Sequence, residues 1–143
     1  MLKRCAAITC LVVWGFVLLP ACGKMQHEWT QMTGPQEQSR YYNFNDVQVP
    51  TSLRLLEDQS SVFKTGAVTA GVLTFEGRVE SASLADYFQR SMPVDNWKLQ
   101  GYIKYPQIGI FFAKPGKACL IQMKEGPVNT DVSIWVIPTE IAQ

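Results

Sequence analysis

The sequence predicts an α+β fold, a two-layer sandwich of one amphipathic helix on a mostly antiparallel sheet of about 5–6 strands. Two observations carry this. Leu84, Tyr87, Phe88 and Met92 recur at helical spacing and give the segment Ser83–Met92 a single apolar face. From Trp97 onward, apolar and polar residues alternate in short runs separated by tight turns, which is the pattern of a four-strand antiparallel meander.

The elements follow in chain order. Val47–Pro50 and Leu53–Leu56 read as short extended pieces, and Val62–Thr65 as a brief strand. Val72–Val79 alternates, with Leu73, Phe75 and Val79 on one side and Thr74, Glu76 and Arg78 on the other. Ser83 is placed to cap the helix, and Asp86 three residues on completes a capping pattern with negative charge in the first turn. Pro93 stops the helix, and Asp95-Asn96 turns into the meander. There Trp97, Leu99, Ile103 and Tyr105 fall on one side, against Lys98, Gln100, Tyr102 and Lys104 on the other. Lys114-Pro115-Gly116-Lys117 is a tight turn. Thr130–Ile137 is the last strand, with Val132, Ile134 and Val136 on its core side.

The N-terminus has a different character. Lys3 and Arg4 precede a nearly continuous apolar run from Ala6 to Leu19, followed by Pro20, Ala21 and Cys22. A charged start, a short apolar core and a small residue at the cut make an export signal. With Cys22 after the cut, Leu19-Pro20-Ala21-Cys22 resembles the lipobox of bacterial lipoproteins. That resemblance implies a signal peptide over 1–21, a lipidated Cys22 (palmitate among its acyl chains), and attachment to the lipid bilayer through acylated Cys22. Gly23 in place of aspartate favours the periplasmic face of the outer membrane. Plain secretion and an uncleaved anchor are the competing readings, although the run is shorter than the ~20 apolar residues that a membrane helix needs.

Residues 22–45 read as a flexible tether. Gln26, Gln31, Gln36 and Gln38 alternate with small and charged residues, and Gly34-Pro35 interrupts any helix. About 20 such residues span roughly 25 Å. Trp29 is either an incidental aromatic or a headgroup contact. Tyr41, Tyr42 and Phe44 are too apolar for a linker and should pack onto the domain, which is expected over 46–143.

Removing the first 21 of 143 residues leaves 122 and takes the formal charge from +1 to −1 by loss of Lys3 and Arg4. That balance gives no electrostatic case for nucleic acid. It also leaves Cys119 as the one cysteine besides Cys22, so the expected fold rests on its apolar core and not on a disulfide within the chain.

The strings GRVESASLADYFQRSMPVDNWKL, FFAKPGKACLIQM and TDVSIWVIP resemble a group of small lipoproteins of Gram-negative bacteria, over roughly Val47 to Pro138. The group is a domain of unknown function, so the resemblance implies a compartment and no site residues. The helix-on-sheet order is also similar in outline to accessory lipoprotein domains of outer-membrane assembly machinery.

The residues offer little chemistry. His27 is the only histidine and lies in the tether, which disfavours a histidine-based triad. No spacing of ligands suggests a metal, and no cofactor is expected. Glu57-Asp58 reads as a solvated turn. Cys119 is a nucleophile by type but reads better as a small core residue. A non-enzymatic role is therefore expected.

What the pattern leaves is a surface. Tyr102, Leu120, Trp135 and Ile137 lie on strand faces opposite the core sets, among Arg78, Lys98, Lys104 and Lys124, and form a candidate face for an envelope protein partner. The competing reading has Tyr41, Tyr42 and Phe44, or a second sheet, covering that face. The function expected is a membrane-anchored envelope lipoprotein acting as a non-catalytic binding or accessory module for an envelope protein or polymer. The alternative is a periplasmic carrier holding an apolar ligand between helix and sheet, near Phe75, Leu84 and Phe88.

Overall fold

The computed structural model describes residues 37–66 and 68–139. The export signal, Cys22, His27, Trp29 and the tether up to residue 36 lie outside them.

Among the described residues the fold is a seven-stranded antiparallel sheet with one α-helix on one face, joined there by a small two-stranded sheet. In chain order the strands are β1 (Ser39–Tyr41), β2 (Gln48–Pro50), β3 (Arg54–Leu55), β4 (Ser61–Thr65), β5 (Val68–Gly77), β6 (Lys98–Ile103), β7 (Ile108–Lys114), β8 (Lys117–Glu125) and β9 (Thr130–Pro138). The helix α1 (Ser81–Ser91) follows β5. In the large sheet β5 pairs with β9, and β9-β8-β7-β6 form the predicted meander. Both β3 and β4 pair with β5 along its other edge. Gly71 makes the β4 pairing possible: its φ is +143°, and a Cβ there would overlap the Ser61 carbonyl.

The predicted helical stripe is the core stripe. Leu84, Tyr87, Phe88 and Met92 are all buried, and α1 lies over β7 and β8. Beneath it Phe75, Ile110, Ile121, Val132, Ile134 and Val136 have no exposed surface. A hydrophobic stripe facing a half-apolar sheet buries both surfaces at once, which is why the two patterns settle into this one arrangement.

The helix begins two residues before the expected Ser83, and Ser83 is an exposed residue inside it. The residue preceding the helix, Glu80, makes no side-chain cap. The cap comes from a distance: Glu125 Oε1 accepts from the Ser81 amide at 3.1 Å and from the Ser81 hydroxyl at 2.6 Å. A cap supplied 44 residues away leaves no local sequence signature.

The folded unit reaches further toward the N-terminus than Asp46. β1 pairs with β2, and Thr51 N–H donates to the Gln38 carbonyl at 2.8 Å. Tyr42 meets Phe75 edge-to-face at 5.0 Å, and Phe44 is buried, so these two aromatics pack onto the domain as expected, while Tyr41 stays exposed with its hydroxyl donating to Asp95 Oδ2 at 3.2 Å. Tyr42 and Phe44 pack on the helix side. Phe44, Val47, Val49 and Leu53 complete the covered layer there.

Candidate functional site

The opposite face of the sheet carries the candidate site. Residues directly across from one another in an antiparallel sheet share a face. Val72 pairs with Trp135, Trp135 with Leu120, and Leu120 with Phe111, so these four form one row across β5, β9, β8 and β7. Their chain neighbours Leu73, Ile134, Ile121 and Ile110 point into the core. Trp135 is 43 % exposed, Ile137 52 % and Phe111 41 %, although all three sit on interior strands. Phe111, Ala118, Leu120, Trp135 and Ile137 line a shallow apolar depression of about 270 Å³. A second depression, about 190 Å³, lies beside it between Ile103, Pro106, Phe111 and Leu120.

Leu120, Trp135 and Ile137 are thus brought together as the alternation predicts. Tyr102 is not among them. The register of β6 against β7 shifts between Leu99 and Gly101, a bulge at Gln100. Leu99 faces Phe112, but after the shift Tyr102 faces Ile110 on the helix side and Ile103 faces Gly109 on the open side. One extra residue exchanges the two, so Tyr102 leaves the candidate face and Ile103 joins it. The same shift removes Ile103 from the core side expected for it, and Leu99 stays half exposed because β6 is the sheet edge. Phe111 of β7 and Phe63 of β4, the latter paired with Ala70 of β5, belong to the open face too. Trp97 precedes β6 and is buried, its indole N–H donating to the Asp46 carbonyl at 2.6 Å.

Charge divides the open face in two. Its apolar half carries Lys98, across from Ala113. The other half carries Thr74, Ser133 and Gln122 in one cross-strand row, then the Arg54–Glu76 ion pair and Lys124 across from Asp131. The expected cations Arg78 and Lys104 lie outside the strands, Lys104 standing 5.8 Å from the ring of Tyr105.

Cys119 lies on the core side, 1 % exposed. Burial, with the Asp46 carboxylate second and Lys114 opposing, pushes its thiol up to about 12. A thiol so held is not ionised at neutral pH and is a poor nucleophile. Among the described residues no group of three or more His, Cys, Asp or Glu is placed to hold a metal, and no helix is long and apolar enough to cross a membrane. Phe75, Leu84 and Phe88, where an apolar ligand was the alternative, are fully buried and fill the helix–sheet interface with side chains.

No family model, curated protein or solved structure matches this chain. The site therefore rests on its own geometry.

Proposed function

We propose that the chain is an envelope lipoprotein, anchored to the periplasmic face of the outer membrane through acylated Cys22, whose folded unit is a non-catalytic binding module. The observation that carries the binding role is the open sheet face. An exposed aromatic and aliphatic row on interior strands is the composition of an interaction patch, and such anchors dominate the affinity of protein interfaces. The covered layer is already complete, because the N-terminal aromatics pack beside the helix. The anchor is supported by the charged start, the apolar run and Leu19-Pro20-Ala21-Cys22.

Two measurements test this reading. Cys22→Ser should abolish labelling by radioactive palmitate and release the protein to the soluble periplasm; a variant still labelled and membrane-bound removes the anchor. A photo-crosslinking amino acid at Trp135 of the full-length protein should give an adduct with an envelope protein or polymer in intact cells, while the same group at Val94 beside the helix should not. Equal labelling at both positions removes the binding face.

A further inference from the structure

We infer that the occupant of the open face is a second copy of this chain, packed face to face about a two-fold axis. This names the partner of the binding face and rests on that reading.

Symmetry is the first argument. The row Val72–Trp135–Leu120–Phe111 runs across β5, β9, β8 and β7, with β4 beyond one end and β6 beyond the other. The line between β9 and β8 therefore divides the face into three strands and three. A two-fold axis parallel to the strands, above that line and midway between the sheets, sets each Trp135 over Leu120 of the partner subunit. It also sets each Phe111 over Val72 of the partner subunit. Large side chains then meet smaller ones in both pairs, which is the alternation that lets facing layers interdigitate. The same axis lays apolar half on apolar half and keeps both chains' N-terminal segments at the same end of the dimer, as two anchors in one membrane require.

Area is the second. Phe63, Val68, Ile103, Phe111, Trp135 and Ile137 are each between 40 % and 65 % exposed. With ~150–250 Å² for a buried aromatic, Phe63, Phe111 and Trp135 alone leave on the order of 300 Å² of apolar surface, and Val68, Ile103 and Ile137 add to it. A patch of that size matches the largest that a monomer presents, ~300–600 Å², and such patches are often functional. With Val72, Leu120 and the polar rim added, the face approaches the ~800 Å² per partner of a stable interface. Charge is the third. The five charged groups on the face are Lys98, Arg54, Lys124, Glu76 and Asp131, three basic and two acidic. A nearly neutral face neither repels its own copy nor selects a strongly charged partner.

The test uses two full-length chains with different tags, co-expressed, one carrying Trp135→Cys and the other Leu120→Cys. A short bismaleimide added to membranes should join them into a product of twice the chain mass bearing both tags. A Val94→Cys pair should give none. Detergent-solubilised native protein should sediment as a dimer, and Trp135→Lys should weaken that dimer at least tenfold while its thermal melt stays close to native. A monomer throughout the micromolar range overturns the inference, as does a Trp135 photo-adduct with a different protein or with lipid. An adduct with a different envelope protein would leave the binding module standing and remove only the dimer. A native-like melt with no adduct at Trp135 and no dimer removes both.

Discussion

Asp46 Oδ2 lies 2.6 Å from Lys114 Nζ, and this contact fastens the N-terminal segment to the β7–β8 turn. Lys117, at the other end of the turn, reaches the same oxygen at 2.9 Å. Lys114 also stands 4.5 Å from the ring of Trp97, whose indole N–H holds the Asp46 carbonyl. Burial alone would raise the Asp46 pKa, but the hydrogen bonds from the two lysines outweigh it and hold the carboxyl below its ordinary 3.8. A depressed carboxylate contributes stability that is present above its unfolded value and lost as pH falls through its folded value. Asp46→Asn should therefore cost about 1–2 kcal/mol at neutral pH, less than a fully buried pair because Lys117 remains partly solvated. It should also flatten the decline of the native protein's melting temperature below pH 4. An unchanged acid limb in the variant would rule out Asp46 as its source.

The remote helix cap should behave as a coupled pair. Hydrogen bonds from the Ser81 hydroxyl and amide lower the Glu125 carboxyl from its ordinary 4.5, so this support too is present above that value and fades on acidification. Ser81→Ala and Glu125→Ala should each lower the thermal midpoint at neutral pH. The double variant should lose less than the two losses combined, since both remove one contact. Full additivity would mean that the bond from the Ser81 hydroxyl contributes nothing, since the amide bond to Glu125 persists in Ser81→Ala.

Cys119 should be silent in the native state. With its pKa at about 12 and its sulfur buried, the thiol should resist an aromatic disulfide reagent at pH 8 and react fully once denaturant unfolds the chain. Rapid reaction of the folded protein would contradict the burial described here.

Neighbouring residues on β9 should differ sharply. Ile134→Ala removes a fully buried side chain and should cost about 2–5 kcal/mol. Trp135→Ala, on the open face, should change the stability of the monomeric protein by less than about 1 kcal/mol. Denaturant titration of both gives the comparison. A Trp135 loss as large as that of Ile134 would place the tryptophan in the core.

Much of this architecture is written locally. The stripe Leu84–Tyr87–Phe88–Met92 and the alternation of Val132, Ile134 and Val136 each state which side is buried, because burial follows from a period that neighbouring residues display. Leu120, Trp135 and Ile137 were legible for the same reason. What was not legible depends on pairing between distant residues. The Gln100 bulge is a property of β6 against β7, so alternation read along β6 alone put Tyr102 and Ile103 on the wrong sides. The Glu125 cap is a property of β8 against α1. Ser39–Tyr41 lacks apolar periodicity and becomes a strand only because Gln48–Pro50 supplies its partner.

That small strand pair also determines how the protein bears load. Ser39, where the described chain enters β1, lies across from Pro50, where β2 ends. Tension applied from the N-terminal side, as a membrane tether would apply it, therefore opens the pair one rung at a time from the pulled end and does not shear all its bonds together. The pull next meets Tyr42 and the buried Phe44, then the Asp46 clamp, and the seven-stranded sheet follows only after that, through β3. The first extension in a single-molecule pulling trace should be short, weak and reversible, separated from the main rupture by the packing of Tyr42 and Phe44 and by the Asp46–Lys114 contact. Under such a pull β1 would yield first, while β2, held by buried Val49, and the open face behind it keep their shape.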